Sequence, residues 1–272
     1  MTGMQNDIHT RAWQCLSACD PAEKSRLTLQ LADDWAKLGI PLDPNTEPEP
    51  IGEPGRPSRP GLVPVNKVRK RGIRTEQGRV ILAHALAHIE FNAINLALDA
   101  VYRFRDMPRE FYGDWLQVAK EEGEHFNLLR KYLNCHDHEY GDYDAHNGLW
   151  ETARLTAGDV LLRMALVPRL LEARGLDVTP GMMDKLKSVG DTEFVACLEV
   201  IHRDEIDHVR KGNHWFRYLC ECRGLEPRQT FRELLAQYMP GAVIGPFNRK
   251  SRLEAGFTEA DLDDLELLEA EL

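Results

Sequence analysis

What this 272-residue chain lacks narrows it first. It contains no run of 18 apolar residues, and the stretch from Met1 to Asp20 is polar and charged where a secretory signal needs an apolar core. A cytoplasmic protein without a membrane span is therefore expected. The six cysteines include no Cys-x-x-Cys pair, which argues against a disulfide framework or a structural zinc site. Cations are in deficit: 34 Lys and Arg against 44 Asp and Glu give a formal net charge of −10, so coating of nucleic acid by the whole chain is excluded. A Ser-His-Asp arrangement, a phosphate-binding loop, a dinucleotide glycine fingerprint and the alternation of β-strands are all missing as well.

What is present is helical. Apolar residues make up 43% and charged residues 29%, a globular composition. We expect an all-α protein with an N-terminal helical arm (1–40), a proline-rich strap or linker (41–74), a four-helix bundle (75–224) and a C-terminal loop with an acidic helix (225–272). The arm breaks and restarts at Asp20-Pro21. Between Pro41 and Pro64 lie eight of the fifteen prolines, which no helix or central strand tolerates. The run Lys67 to Arg74 carries five bases in eight residues, read first as a solvated helix start and second as a local anion patch. Apolar periodicity predicts helices over 77–104, 112–133 and 152–174, the last kinked at Pro168 and stopped by Gly175. A short helix is expected to restart at Pro180, and a long one capped by Asp191 runs to about Arg223.

Four carboxylates fall on the apolar faces of these helices, where a charge costs several kcal/mol unless it is paired or binds a cation. Glu90 shares its stripe with Ala83, Leu86, Ala87, Ile94 and Ala97; Glu122 shares one with Trp115, Val118, Ala119, Phe126 and Leu129. Glu172 lies with Leu161, Leu162 and Ala165, and Glu205 with Leu198, Ile201, Val209 and Gly212. Histidine follows two of them at i+3, in Glu122-x-x-His125 and Glu205-x-x-His208, so each pair offers an oxygen and an imidazole nitrogen on one side of its helix. Glu90 precedes Glu122 by 32 residues and Glu172 precedes Glu205 by 33, spacings that suit antiparallel hairpins. One Glu from each of two helices and Glu-x-x-His from each of two others is the ligand set of carboxylate di-metal bundles. Oxygen ligands with two imidazoles suit iron or manganese, or a mixed pair.

The doubled Glu-x-x-His pattern resembles the ferritin-like, carboxylate-bridged di-iron superfamily, which includes the bacterial ribonucleotide reductase small subunit and the methane monooxygenase hydroxylase. The resemblance implies that Glu121 and Asp204, each directly before the Glu of its motif, hydrogen-bond the metal-bound histidines. More specifically, PGRPSRPGLV at 54–63, His88-Ile-Glu90, VPRLLEARGLDVTP at 167–180 and GPFN at 245–248 resemble a bacterial ferritin-like family of unknown function. A more distant likeness is to the di-iron tRNA hydroxylase, through its Leu-Glu-Ala-Arg segment and Glu-x-x-His helices.

These readings imply an oxidoreductase that uses oxygen or peroxide, most simply a hydroxylase or oxidase, on a small molecule or a tRNA and with an electron-donor protein. The rival is a ferroxidase or metal-storage protein without an organic substrate. A monomer or dimer is expected rather than a cage. Glu199-x-x-His202 is a third, accidental motif copy, with no acid before Glu199. Glu124 projects to solvent, His84 and His88 lie off the Glu90 face in structural roles, and His136, His138 and His146 belong to a surface loop. The acidic helix from Thr258 is expected to be solvated.

Overall fold

The computed structural model describes residues 7–42, 47–69 and 72–270. Among these there is no β-strand, and the fold is all-α. The chain divides into two compact units, Met1–Leu155 and Thr156–Leu272.

Unit 1 begins with α1 (Ile8–Ser17), whose first amides are received by the Asp7 carboxylate, and α2 (Pro21–Leu38), capped by Asp20 with Pro21 in its first turn. Both starts follow from capping chemistry: an exposed helical N–H meets a side-chain oxygen, and proline loses no bond there. α3 (Glu76–Arg103) and α4 (Arg109–Cys135) form an antiparallel hairpin, with the Phe91 and Phe126 rings 5.5 Å apart across it. The Tyr112 hydroxyl lies within 2.9 Å of the Phe104 carbonyl and 2.6 Å of that of Arg105, which ties the turn. α3 is long and apolar enough to cross a bilayer, but 83% of its most apolar window is buried in the protein, and it serves as the core helix of the unit. α5 (Gly148–Leu155) completes unit 1.

The proline-rich segment is a strap over unit 1. The Gly55 amide donates to the Leu16 carbonyl at 2.8 Å, Leu62 and Ala145 make an isolated parallel bridge, and the Trp150 indole donates to the Gly52 carbonyl at 2.9 Å. Only glycine fits at 55, since a Cβ there would lie 2.2 Å from the Ser17 carbonyl oxygen. Of the basic run after the strap, Lys70 and Arg71 lie outside the described residues.

Unit 2 holds α6 (Val160–Leu166), a π-helical turn (Val167–Glu172), α7 (Ala173–Ser188), α8 (Thr192–Cys222), α9 (Pro227–Tyr238), α10 (Arg249–Glu254) and α11 (Glu259–Ala270). Three expectations need correction. The helix drawn over 152–174 is interrupted before Asp159, which caps α6 through the Leu161 amide. Gly175 does not stop a helix, and no helix starts at Pro180; α7 runs through both. Pro180 cannot donate to the Leu176 carbonyl one turn back, and the Asn248 side-chain amide supplies that bond instead at 3.2 Å. The acidic terminal helix is not simply solvated either: Leu262, Leu265, Asp261 and Asp264 of α11 are buried. The expected distortion at Pro168 is present as the π-helical turn, and Asp191 caps α8 as anticipated.

Candidate metal centre

The α3–α4 hairpin assembles the first group of ligand types. Glu90 comes from the middle of α3, Glu122 and His125 from one face of α4, and all three are buried. His125 Nδ1 lies 3.5 Å from Glu90 Oε2 and 3.5 Å from Glu122 Oε2. One donor atom from each residue falls within 4.8 Å of the others, a spacing at which a single cation can be held. The back of this α4 segment is closed by α2. A Cβ at Gly123 would meet Leu29 Cδ1 at 3.0 Å and Ser25 Oγ at 3.3 Å, and the Asn127 amide donates to Ser25 Oγ at 2.8 Å.

Electrostatics make this group a poor resting place for bare charge. Burial, and secondarily the negative neighbour Glu122, pushes the Glu90 carboxyl well above the ordinary carboxylate range, although the neighbouring His125 imidazole pulls the other way. A divalent cation relieves both penalties at once. Two carboxylates and an imidazole, without thiolate, form an oxygen- and nitrogen-rich donor set that could hold a metal ion.

Unit 2 presents the second Glu-x-x-His motif on α8. His208 is fully buried, and its Nδ1 lies 3.0 Å from Glu205 Oε2. Glu172 ends the π-helical turn on the helix facing α8, and Gly175, one turn further on, leaves room for Glu205: a Cβ there would stand 3.8 Å from Glu205 Cγ. Glu121 accepts from the Gln117 amide at 2.7 Å, and Asp204 accepts from the Arg203 guanidinium at 2.8 Å.

The sequence matches, over residues 17–263, a family described as "Protein of unknown function (DUF455)". The chain belongs to that family. It is also 43% identical over 268 residues to an uncharacterized protein of Haemophilus influenzae (strain ATCC 51907 / DSM 11121 / KW20 / Rd), with 93% of each chain covered. No solved structure matches it.

The remaining histidines of this DUF455 chain have other work. His84 Nε2 receives the Gly141 amide at 2.9 Å, which requires that nitrogen to be unprotonated, and burial lowers its pKa to about 4. His88 bonds the Tyr140 hydroxyl at 2.9 Å through Nδ1 and the His146 carbonyl at 3.0 Å through Nε2; burial again brings its pKa to about 4. Both therefore hold the 136–147 loop against α3, as the sequence reading expects. Glu199, of the third motif copy, is exposed and pairs with Lys187 at 3.4 Å, while its partner His202 lies 3.4 Å from Ser251 Oγ. Glu124 is exposed. Sequence reasoning missed the π-helical turn and the two glycines, 175 and 212, that face bulky neighbours in unit 2; glycines on otherwise apolar helix faces were the signal available.

Proposed function

We propose that this protein is a non-haem oxidoreductase built on a ferritin-like scaffold, using iron, manganese or a mixed pair with oxygen or peroxide to hydroxylate or oxidise its substrate. The observation that carries the reading is the buried Glu90–Glu122–His125 group, whose three donors lie within bonding reach of one cation and whose burial is costly without one. The same motif on α8 supports a second ion, as does the resemblance of the doubled motif to the di-iron superfamily. Bound metal would supply the redox chemistry. The residues supply the rest: Glu90 and Glu122 bring negative charge, His125 and His208 bring imidazole Nδ1, and apolar helix faces exclude water. We place the protein in the cytoplasm, as a monomer or dimer served by an electron-donor protein.

The test is oxygen consumption by metal-loaded protein with an added reductant, run beside a sizing column. The expected result is reductant-dependent oxygen uptake by a monomer or dimer, abolished by Glu122→Ala. A many-subunit particle that takes up ferrous iron and retains it as a mineral would replace this reading with metal storage.

A further inference from the structure

Unit 2 contains a packing device whose geometry bears on Glu172. α8 carries Glu205, His208 and Gly212 at i, i+3 and i+7, on one helical face. At Gly212 the Pro168 ring occupies the space of a side chain: a Cβ there would lie 2.3 Å from Pro168 Cβ and 2.5 Å from its Cγ, distances no real pair of carbons adopts. Seven residues further along its own helix, and seven back along α8, Gly175 sits over Glu205. The two contacts define an antiparallel register. Four residues on from Pro168 and four back from Gly212, it brings Glu172 level with His208.

Pro168 is also the second residue of the π-helical turn. It has no N–H to give, and its ring crowds the carbonyl one turn earlier, so the helix widens, and the Ala173 amide reaches five residues back to the Pro168 carbonyl. The extra residue turns everything after it by about 100° relative to α6. Arg169, the next residue, is fixed too: its guanidinium bonds Asn213 Oδ1 and, at 2.6 Å, Asp261 Oδ1, and it lies over the Phe231 and Phe257 rings. Two consecutive residues of the turn are thus anchored on two consecutive residues of α8, one helical turn beyond His208.

We propose that Gly212 is a positioning residue: by admitting the Pro168 ring, it sets the π-helical turn at the height that holds Glu172 opposite His208. The proposal rests on the metal reading above for its consequence, and on the packing alone for its geometry. Any side chain at 212 must push the turn off α8 and carry Glu172 away from the Glu205–His208 pair.

The experiment compares Gly212→Ala with Leu235→Ala, a cavity variant in α9 of the same unit, with ferrous iron or manganese titrated into metal-free protein well below the melting temperature of both. Both variants lose stability. The expected result is that Gly212→Ala alone weakens binding of one of the two ions by about tenfold or more, whereas Leu235→Ala binds as the parent does. Equal binding in Gly212→Ala and the parent would overturn the proposal. Should the parent bind neither metal, the functional reading fails, and the lock is decided by a crystal structure of metal-free Gly212→Ala. Displacement of Glu172 from His208 supports it, and an unchanged π-helical turn overturns it. If Gly212→Ala does not fold, Gly212→Ser and Pro168→Ala take its place, the latter expected to straighten residues 167–172 into regular α-helix with the same loss of binding.

Discussion

The two units offer contrasting examples of how a buried cation is accommodated. In unit 1 the buried cations are bases that can shed their charge. Lys24 is fully buried, donates to the Leu16 carbonyl at 2.7 Å and Asn95 Oδ1 at 2.6 Å, and has its pKa lowered by burial to about 7; His84 is driven down to about 4 in the same way. In unit 2 two buried cations, Arg169 and Arg252, are guanidiniums that bring a carboxylate with them. Arg169 meets Asp261 at 2.6 Å, and Arg252 meets Asp177 at 2.7 Å. Burial pulls Arg169 to about 10, still protonated at neutral pH. Neutralisation and pairing are the two available answers to desolvation, and they leave different signatures. Unit 1 should respond to pH, and unit 2 to loss of a partner.

The largest effect is expected in unit 2. Asp261→Ala leaves the Arg169 charge buried without its carboxylate and should cost about 3–5 kcal/mol, read by amide hydrogen exchange across residues 156–272. A loss below ~1 kcal/mol would remove the distinction drawn between the units.

Next comes Lys24. Unfolded, its amine stays protonated up to its ordinary pKa of 10.5; folded, it is neutral above about 7. The unfolded chain therefore binds more protons across that interval, and stability rises with pH. Cys15, raised by burial from 9.0 to about 11, opposes this only above pH 9. Between pH 7 and 9 the parent should gain ~2 kcal/mol relative to Lys24→Met, as measured by urea unfolding at each pH. Parallel pH profiles would mean that the amine stays charged when buried.

His84 sharpens the comparison from the acid side. Its folded pKa of about 4 lies below its ordinary 6.5, so the unfolded state takes up the proton first as pH falls between those values. His84→Gln, which keeps an acceptor for the Gly141 amide, should lessen acid destabilisation between pH 6.5 and 5 by ~1.5 kcal/mol. An acid limb identical to that of the parent would assign the loss to other groups. The smallest effect is expected at Glu199. Its ion pair with Lys187 is solvent-exposed, so Glu199→Ala should change stability by less than ~0.5 kcal/mol and leave metal content intact; loss of metal would make the third motif copy a ligand.

Local chemistry made much of this molecule legible in the sequence. Asp20-Pro21, Asp191 and the proline density of 41–64 act through neighbouring atoms, and α2, α8 and the strap lie where those signals put them. The Glu90, Glu122 and His125 group was readable because a carboxylate on an apolar face is a cost that demands a partner. What could not be read depends on residues far away in the chain. Gly175 looks like a helix stop and Pro180 like the start of another helix until Asn248, some seventy residues later, bonds the Leu176 carbonyl that Pro180 leaves behind. Asp261 looks like part of a solvated acidic helix until Arg169 is placed beside it. The π-helical turn needs both Pro168 and the empty side of Gly212, and neither alone announces it.

The most direct test of the account is the metal content of the protein purified with and without oxygen, alongside Glu122→Ala and Glu205→Ala. The account predicts two iron or manganese ions per chain in the parent and clear loss in both variants with helical content preserved. A parent that binds neither metal, or variants that retain the full complement, would contradict it.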